Sequence, residues 1–219
     1  MREQGIGQKQ AAQLAEGIIQ ISKQNHHVKN GEVFLFFNGE YLMSSDGKLF
    51  LLAVAGKPVK EEETIINGAI PGAYVEKTRI KHFDYSKLRQ RKKNEGPLPE
   101  GTYRMLCEET GSLLKGSFSK HGMRRGAWGD YHWDLTPTKD TDTFERERFS
   151  FTIHGGAVPE SAGCIDLASG DGALRNYLQT LNQQSIFVVV KYSEKNVTLN
   201  VKSIDYLPAS QILGLTFDQ

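Results

Sequence analysis

"EVFLFFNGEYLMSSDGKLFLLAVAG", residues 32–56, alternates short apolar runs with the dipeptides Asn38-Gly39 and Asp46-Gly47. Asn-Gly and Asp-Gly readily supply the positive φ angles of tight hairpins, so the stretch predicts a β-meander. Its period is that of strands. This reading sets the expectation for the whole chain, a mainly β fold.

Toward the N-terminus the periodicity changes. In "QKQAAQLAEGIIQISKQ", residues 8–24, Ala11, Leu14, Ala15, Ile18 and Ile19 recur at the i, i+3, i+4, i+7, i+8 spacing of an amphipathic helix. The expected division is an N-terminal helical segment, 1–30, and one domain, 31–219. The helix is expected to dock its apolar stripe on that domain; the alternative is an arm for a partner. A chain of 219 residues can bury one sizeable core. With 27 Lys+Arg against 26 Asp+Glu the net charge is +1, which gives no long-range field toward nucleic acid or an anionic membrane. No apolar run reaches the roughly 18 residues of a membrane span, and no secretory signal is expected in residues 1–30. Two cysteines, Cys107 and Cys164, are too few for a disulfide scaffold.

Toward the C-terminus, residues 57–101 read as irregular, with the basic run "KLRQRKK" (87–93) as a solvated face. "GPLPEGTY" (96–103) places two prolines before a strand whose alternation sets Tyr103, Met105 and Cys107 on one face, a packing role for Cys107. "AWGDYHWDLTP" (127–137) and "FTIH" (151–154) read as further strands. A second helix is expected over 171–184, and more strands from Ser185 onward.

The chemistry concentrates in "FTIHGGAVPESAGCIDLASGDG", residues 151–172. A cysteine nucleophile needs a base, oxyanion donors and room for an acyl group. His154 ends a strand and Cys164 follows ten positions later, so a loop folding back over glycines can bring imidazole and thiol together. An imidazolium beside the sulfur would enrich the thiolate. Gly163 can adopt backbone angles closed to other residues, and the amides of Gly163 and Cys164 are natural oxyanion donors. Taken singly, a buried cysteine is ordinarily inert packing and a lone histidine a satisfied side chain, and composition alone leaves both readings open.

"IHGG" (153–156) followed by "SAGCIDL" (161–167) resembles the active-site signature of the L,D-transpeptidase superfamily, in particular its type VI secretion effector branch. "YLMSSDGKLFLLAVAG", "GPLPEGTY" and "AWGDYHWDLTP" resemble other parts of that branch, in order from about Tyr41 to about Leu181. The resemblance implies an L,D-transpeptidase-like β-sandwich or barrel with a short helix after the cysteine. It implies a cysteine peptidyltransferase on peptidoglycan stem peptides, acting as L,D-carboxypeptidase and L,D-transpeptidase, with Cys164 as nucleophile, His154 as base and then acid, and Gly163 at the oxyanion site. No cofactor is implied. Gly155, Gly156, Ser161, Trp128 and Arg148 are the candidate substrate contacts. Housekeeping relatives carry a histidine before the Gly-Cys pair and a basic residue after the cysteine; here those places hold Ala162 and Asp166, so substrate carboxylates must be met elsewhere, Arg124, Arg125 and Arg148 being available.

A rival from another class is a non-catalytic peptidoglycan-binding or secretion-adaptor module on the same fold. Metal chemistry is disfavoured: His26-His27 with His82 lacks ligand spacing, and His121, Asp130 and His132 lie on no H-x-x-x-H helix. The expected life history is synthesis in the cytoplasm, secretion, and action in a target periplasm. The expected partners are stem peptides, an immunity protein and a secretion-apparatus component, with no nucleic acid and no membrane span.

Overall fold

The computed structural model describes residues 16–21, 24–29, 31–65, 74–112, 129–145, 151–156 and 160–206. It is mainly β, as the meander predicts, and divides into two compact units.

The first unit, residues 1–57 with 85–195, holds a ten-stranded sheet. The meander forms β1 (Phe34–Phe37), β2 (Tyr41–Ser44) and β3 (Phe50–Leu52), with Gly39 at φ 105° and Gly47 at φ 73° in its two turns. Asn38 Oδ1 accepts from the amides of Glu40 (3.0 Å) and Tyr41 (2.8 Å), so the turn residue fixes its own loop. After β4 (Val54–Ala55) the unit continues with α1 (Lys87–Gln90), β7 (Gly101–Leu106), β8 (Gly111–Ser112), β9 (Tyr131–Pro137), β10 (Phe151–His154), β11 (Ile165–Asp166), α2 (Asp171–Gln179) and β12 (Ser185–Val190). The strand order is β3-β2-β1-β12-β7-β9-β10-β11-β4, with β8 on β9. The first and last strands of that order are separated in the chain by Ala53 alone. The two edges must therefore approach each other, and the sheet curls into a nearly closed barrel.

All four residues of β1 are buried, because both its faces are covered. Phe34 and Phe36 join Met43, Val189, Val28 and Ile21, while Leu35 and Phe37 on the opposite face are fully enclosed. Residues 16–21 are helical and dock through Ile18 and Ile21. Ile19, expected in the apolar stripe, is 53% exposed. The docked face is thus rotated toward Ile21; Leu14 and its neighbours lie outside the described residues. No helix among the described residues is long and apolar enough to cross a membrane.

The basic run at 87–93 is not merely solvated. Lys87 pairs with Glu100 (2.6 Å), Arg89 with Glu95 (2.8 Å), and Arg91 lies over the Phe144 ring (4.8 Å). Gln90 is buried, donating to Tyr85 O and accepting from the Glu100 amide. This short helix braces the proline turn that delivers β7.

The second unit, residues 58–84 with 196–219, is a three-stranded antiparallel sheet of order β13-β6-β5. It comprises β5 (Lys60–Ile65), β6 (Tyr74–Asp84) and β13 (Asn196–Tyr206). Two of these strands occupy residues expected to be irregular. They are held by charge pairing: Glu61 and Glu63 on β5 stand directly opposite Lys81 and Arg79 on β6, with Arg79 Nε 2.9 Å from Glu63. Opposite charges across a ladder stabilise a sheet that a hydrophobicity pattern misses.

Candidate active site

Strand β10 runs antiparallel to β9 and parallel to β11. Its last residue, His154, stands opposite His132 on one side and Asp166 on the other. Cys164 immediately precedes Ile165, which is opposite Ile153. The residues from 155 to 164 thus carry the chain back to begin a strand beside the one it has just left. Both functional candidates are buried, His154 at 2% exposure and Cys164 at 7%.

The return is held by short polar ties. Ser161 exchanges backbone and side-chain bonds with Gly56, its amide donating to Gly56 O (3.1 Å) and its Oγ accepting from the Gly56 amide (3.2 Å). The same hydroxyl donates to the carbonyl of Cys164. Asp166, fully buried, accepts from the amides of Glu160 (3.1 Å) and Ala168 (2.7 Å), so both its oxygens brace the loop on either side of Cys164. A cationic side chain at that position could not accept those bonds. The Leu167 amide donates to His154 O (2.8 Å) and the Gly156 amide to Ala168 O (2.7 Å). Gly163 sits at φ 112°, a left-handed geometry that glycine supplies without strain, and Ala162 beside it is exposed.

His154 Nδ1 lies 2.6 Å from Gly155 O. A carbonyl only accepts, so Nδ1 carries the hydrogen and Nε2 keeps its lone pair. Burial, reinforced by His132 and opposed by the Gly155 bond and Asp171, pulls the imidazole pKa down to about 4. The ring is therefore neutral at pH 7. Desolvation outweighs the favourable contacts, so the resting side chain is in the form of a base rather than an imidazolium that would enrich the thiolate.

Asp171, the first residue of α2, is a site residue that the sequence reading overlooked. Its buried carboxylate accepts from the amides of Asp130 (2.6 Å) and Tyr131 (3.0 Å), holding the start of β9 against the helix N-terminus. A Cβ on Gly155 would stand 2.6 Å from Asp171 Cγ and 2.8 Å from Ala168 O. The glycine after His154 is thus required by close approach. Tyr131 carries the Arg175 guanidinium over its ring (4.9 Å), and Arg175 also faces Glu109 at 3.6 Å. The only local sequence signal for Asp171 was an acidic residue opening a helix after a Gly-rich turn. Helix α2 ends at Gln179, earlier than 184, with Leu174, Tyr177 and Leu178 buried; Tyr177 Oη donates to Asp46 of the meander (2.9 Å).

Of the remaining candidates, Gly155, Gly156 and Ser161 lie in the loop as described. Trp128, Arg148, Arg124, Arg125 and His121 fall outside the described residues. Cys107 lies just past β7, half-buried, with burial raising its thiol pKa. A family model described as the Tlde1 domain matches residues 81–192, just over half of the chain, a span that includes His154, Cys164 and Asp171 but not Gly56. No curated protein matches the chain.

Proposed function

The chain belongs to the Tlde1 domain family, the type VI secretion L,D-transpeptidase effectors acting on peptidoglycan, and on that premise we propose that it is a cysteine peptidyltransferase of stem peptides. The observation that carries this reading is the buried, neutral His154, its Nδ1–H spent on Gly155 O, on the strand beside the one that Cys164 immediately precedes.

In this mechanism Nε2 of His154 takes the Cys164 thiol proton as the sulfur attacks the carbonyl joining the third residue of the stem to D-Ala. The C–S bond forms, and the tetrahedral oxyanion is met by the amides of Gly163, at φ 112°, and Cys164. Collapse breaks the C–N bond, and the imidazolium returns its proton to the departing D-Ala amine. Water, deprotonated by the same nitrogen, then adds to the thioester, the C–S bond breaks and the imidazolium returns its proton to the sulfur; a D-amino acid or neighbouring stem amine in place of water gives exchange or a cross-link. Gly155, Gly156 and Ser161 shape the loop under the substrate, and Trp128 and Arg148 are the proposed contacts to the peptide and its carboxylates. The enzyme is made in the cytoplasm, secreted, and acts in a target periplasm, where an immunity protein would oppose it.

Incubation with purified tetrapeptide muropeptides, read by mass spectrometry, tests the proposal. Loss of D-Ala or its exchange for an added D-amino acid is expected, and neither with Cys164→Ala. Binding of muropeptides without turnover by the intact chain would instead establish a non-catalytic module.

A further inference from the structure

The adjacent histidines His26 and His27 lie in a polar stretch with no ligand pattern nearby in sequence. Tertiary structure brings a third donor to them. His27 Nε2 is 2.9 and 3.0 Å from the two carboxylate oxygens of Asp140, which follows β9 in the chain, and His26 Nε2 is 3.5 Å from the same carboxylate. All three donor groups lie within 4.8 Å of one another. Tetrahedral zinc bonds of about 2.0–2.1 Å set neighbouring ligand atoms about 3.3–3.4 Å apart. The observed nitrogen–oxygen separations straddle that spacing.

The arrangement is braced from both sides by one residue. Asn25 accepts from the His27 amide (3.0 Å) and donates through Nδ2 to Thr102 Oγ1 (2.8 Å). On the other arm, Thr141, next to Asp140, accepts from the Thr102 amide (2.9 Å) and donates to Thr102 O (2.8 Å). Both ligand-bearing segments are therefore pinned to the same point of β7. The His27 ring also rests near Phe187, centroids 5.8 Å apart, and the two imidazoles lie 4.1 Å apart.

We propose that His26, His27 and Asp140 bind a single divalent transition-metal ion of the zinc class. Two imidazoles with one carboxylate suit zinc and disfavour the oxygen-seeking Mg²⁺ and Ca²⁺. Three protein ligands leave a position for water. The ion ties residues 25–28 to the segment following β9, so it fastens the N-terminal segment to the sheet and raises stability by mass action. None of the three residues takes part in the proposed peptidyl transfer, and the inference does not depend on it.

Calorimetric titration of the full chain with Zn²⁺ is expected to show saturable binding of one ion, with a rise in melting temperature that Mg²⁺ and Ca²⁺ do not produce. Asp140→Ala and His27→Ala should weaken binding by at least about tenfold and remove the metal-dependent rise. Circular dichroism of the metal-free variants checks that they fold. Cys164→Ala should bind Zn²⁺ as the parent does. Absence of saturable binding, leaving only a histidine–aspartate ion pair, overturns the proposal. So does binding that survives Asp140→Ala and His27→Ala, and its loss in Cys164→Ala would place the ion on the thiol.

Discussion

His154 and Gly155, neighbours in the chain, are joined by a 2.6 Å bond from the imidazole Nδ1–H to the glycine carbonyl. The bond selects one tautomer, and burial holds the ring neutral with a pKa of about 4. A base is active above its pKa, so kcat/KM for D-Ala release should stay level from pH 7 down to about 5 and fall through about 4. An acid limb near the ordinary histidine value of about 6.5 would contradict this.

The same shift makes stability depend on pH. Between about 6.5 and 4 the unfolded chain holds a proton at His154 that the folded chain does not, so stability rises with pH across that window. Acidifying from pH 7 to 4 should cost about 3 kcal/mol through this group. Denaturant unfolding of His154→Gln should lack that share of the pH dependence; equal slopes in parent and variant would refute it.

Cys164→Ala should abolish muropeptide turnover and shift the melting temperature little, since one buried sulfur is lost from a loop held by Ser161 and Asp166. Cys107→Ser should leave turnover unchanged. Activity lost in the second variant and kept in the first would move the nucleophile.

Gly155 and Gly172 make a matched pair. A methyl at 155 meets the Asp171 carboxylate and the Ala168 carbonyl, so Gly155→Ala should destabilise by about 1–3 kcal/mol and impair turnover. Nothing lies within 4 Å of a Cβ at Gly172, in the first turn of α2. Gly172→Ala should be neutral or stabilise by up to about 1 kcal/mol. Thermal and denaturant midpoints of the two variants decide the matter.

Asp171→Ala leaves two amides, of Asp130 and Tyr131, without their acceptor and should cost about 2–3 kcal/mol. Asp171→Asn retains an acceptor oxygen and should cost less. It removes a negative charge that raises the His154 pKa, so the imidazole titration followed by NMR should move further down. An upward shift would show that Asp171 acts on His154 in some other way.

Sequence by itself determined the meander, the strand ending at His154, the helix opening at Asp171 and the glycine at 163. Each is a local choice, written in periodicity, turn dipeptides and the freedom of φ at glycine. The strands over 60–65 and 74–84 escaped because they are rich in charge, whose stabilising partner is visible only once two strands are paired in register. The docked face of the first helix escaped likewise: whether Ile19 or Ile21 is buried depends on where Phe36 and Met43 lie. Tertiary structure alone decided that the sheet's two ends meet around Ala53, that Asp171 reaches Gly155, and that Asp140 stands against His26 and His27. None of the three is written in local periodicity, since each depends on the order of strands in the sheet, and the last joins residues more than a hundred positions apart. The protonation state of His154 belongs with them, because it depends on how completely the surrounding chain excludes water.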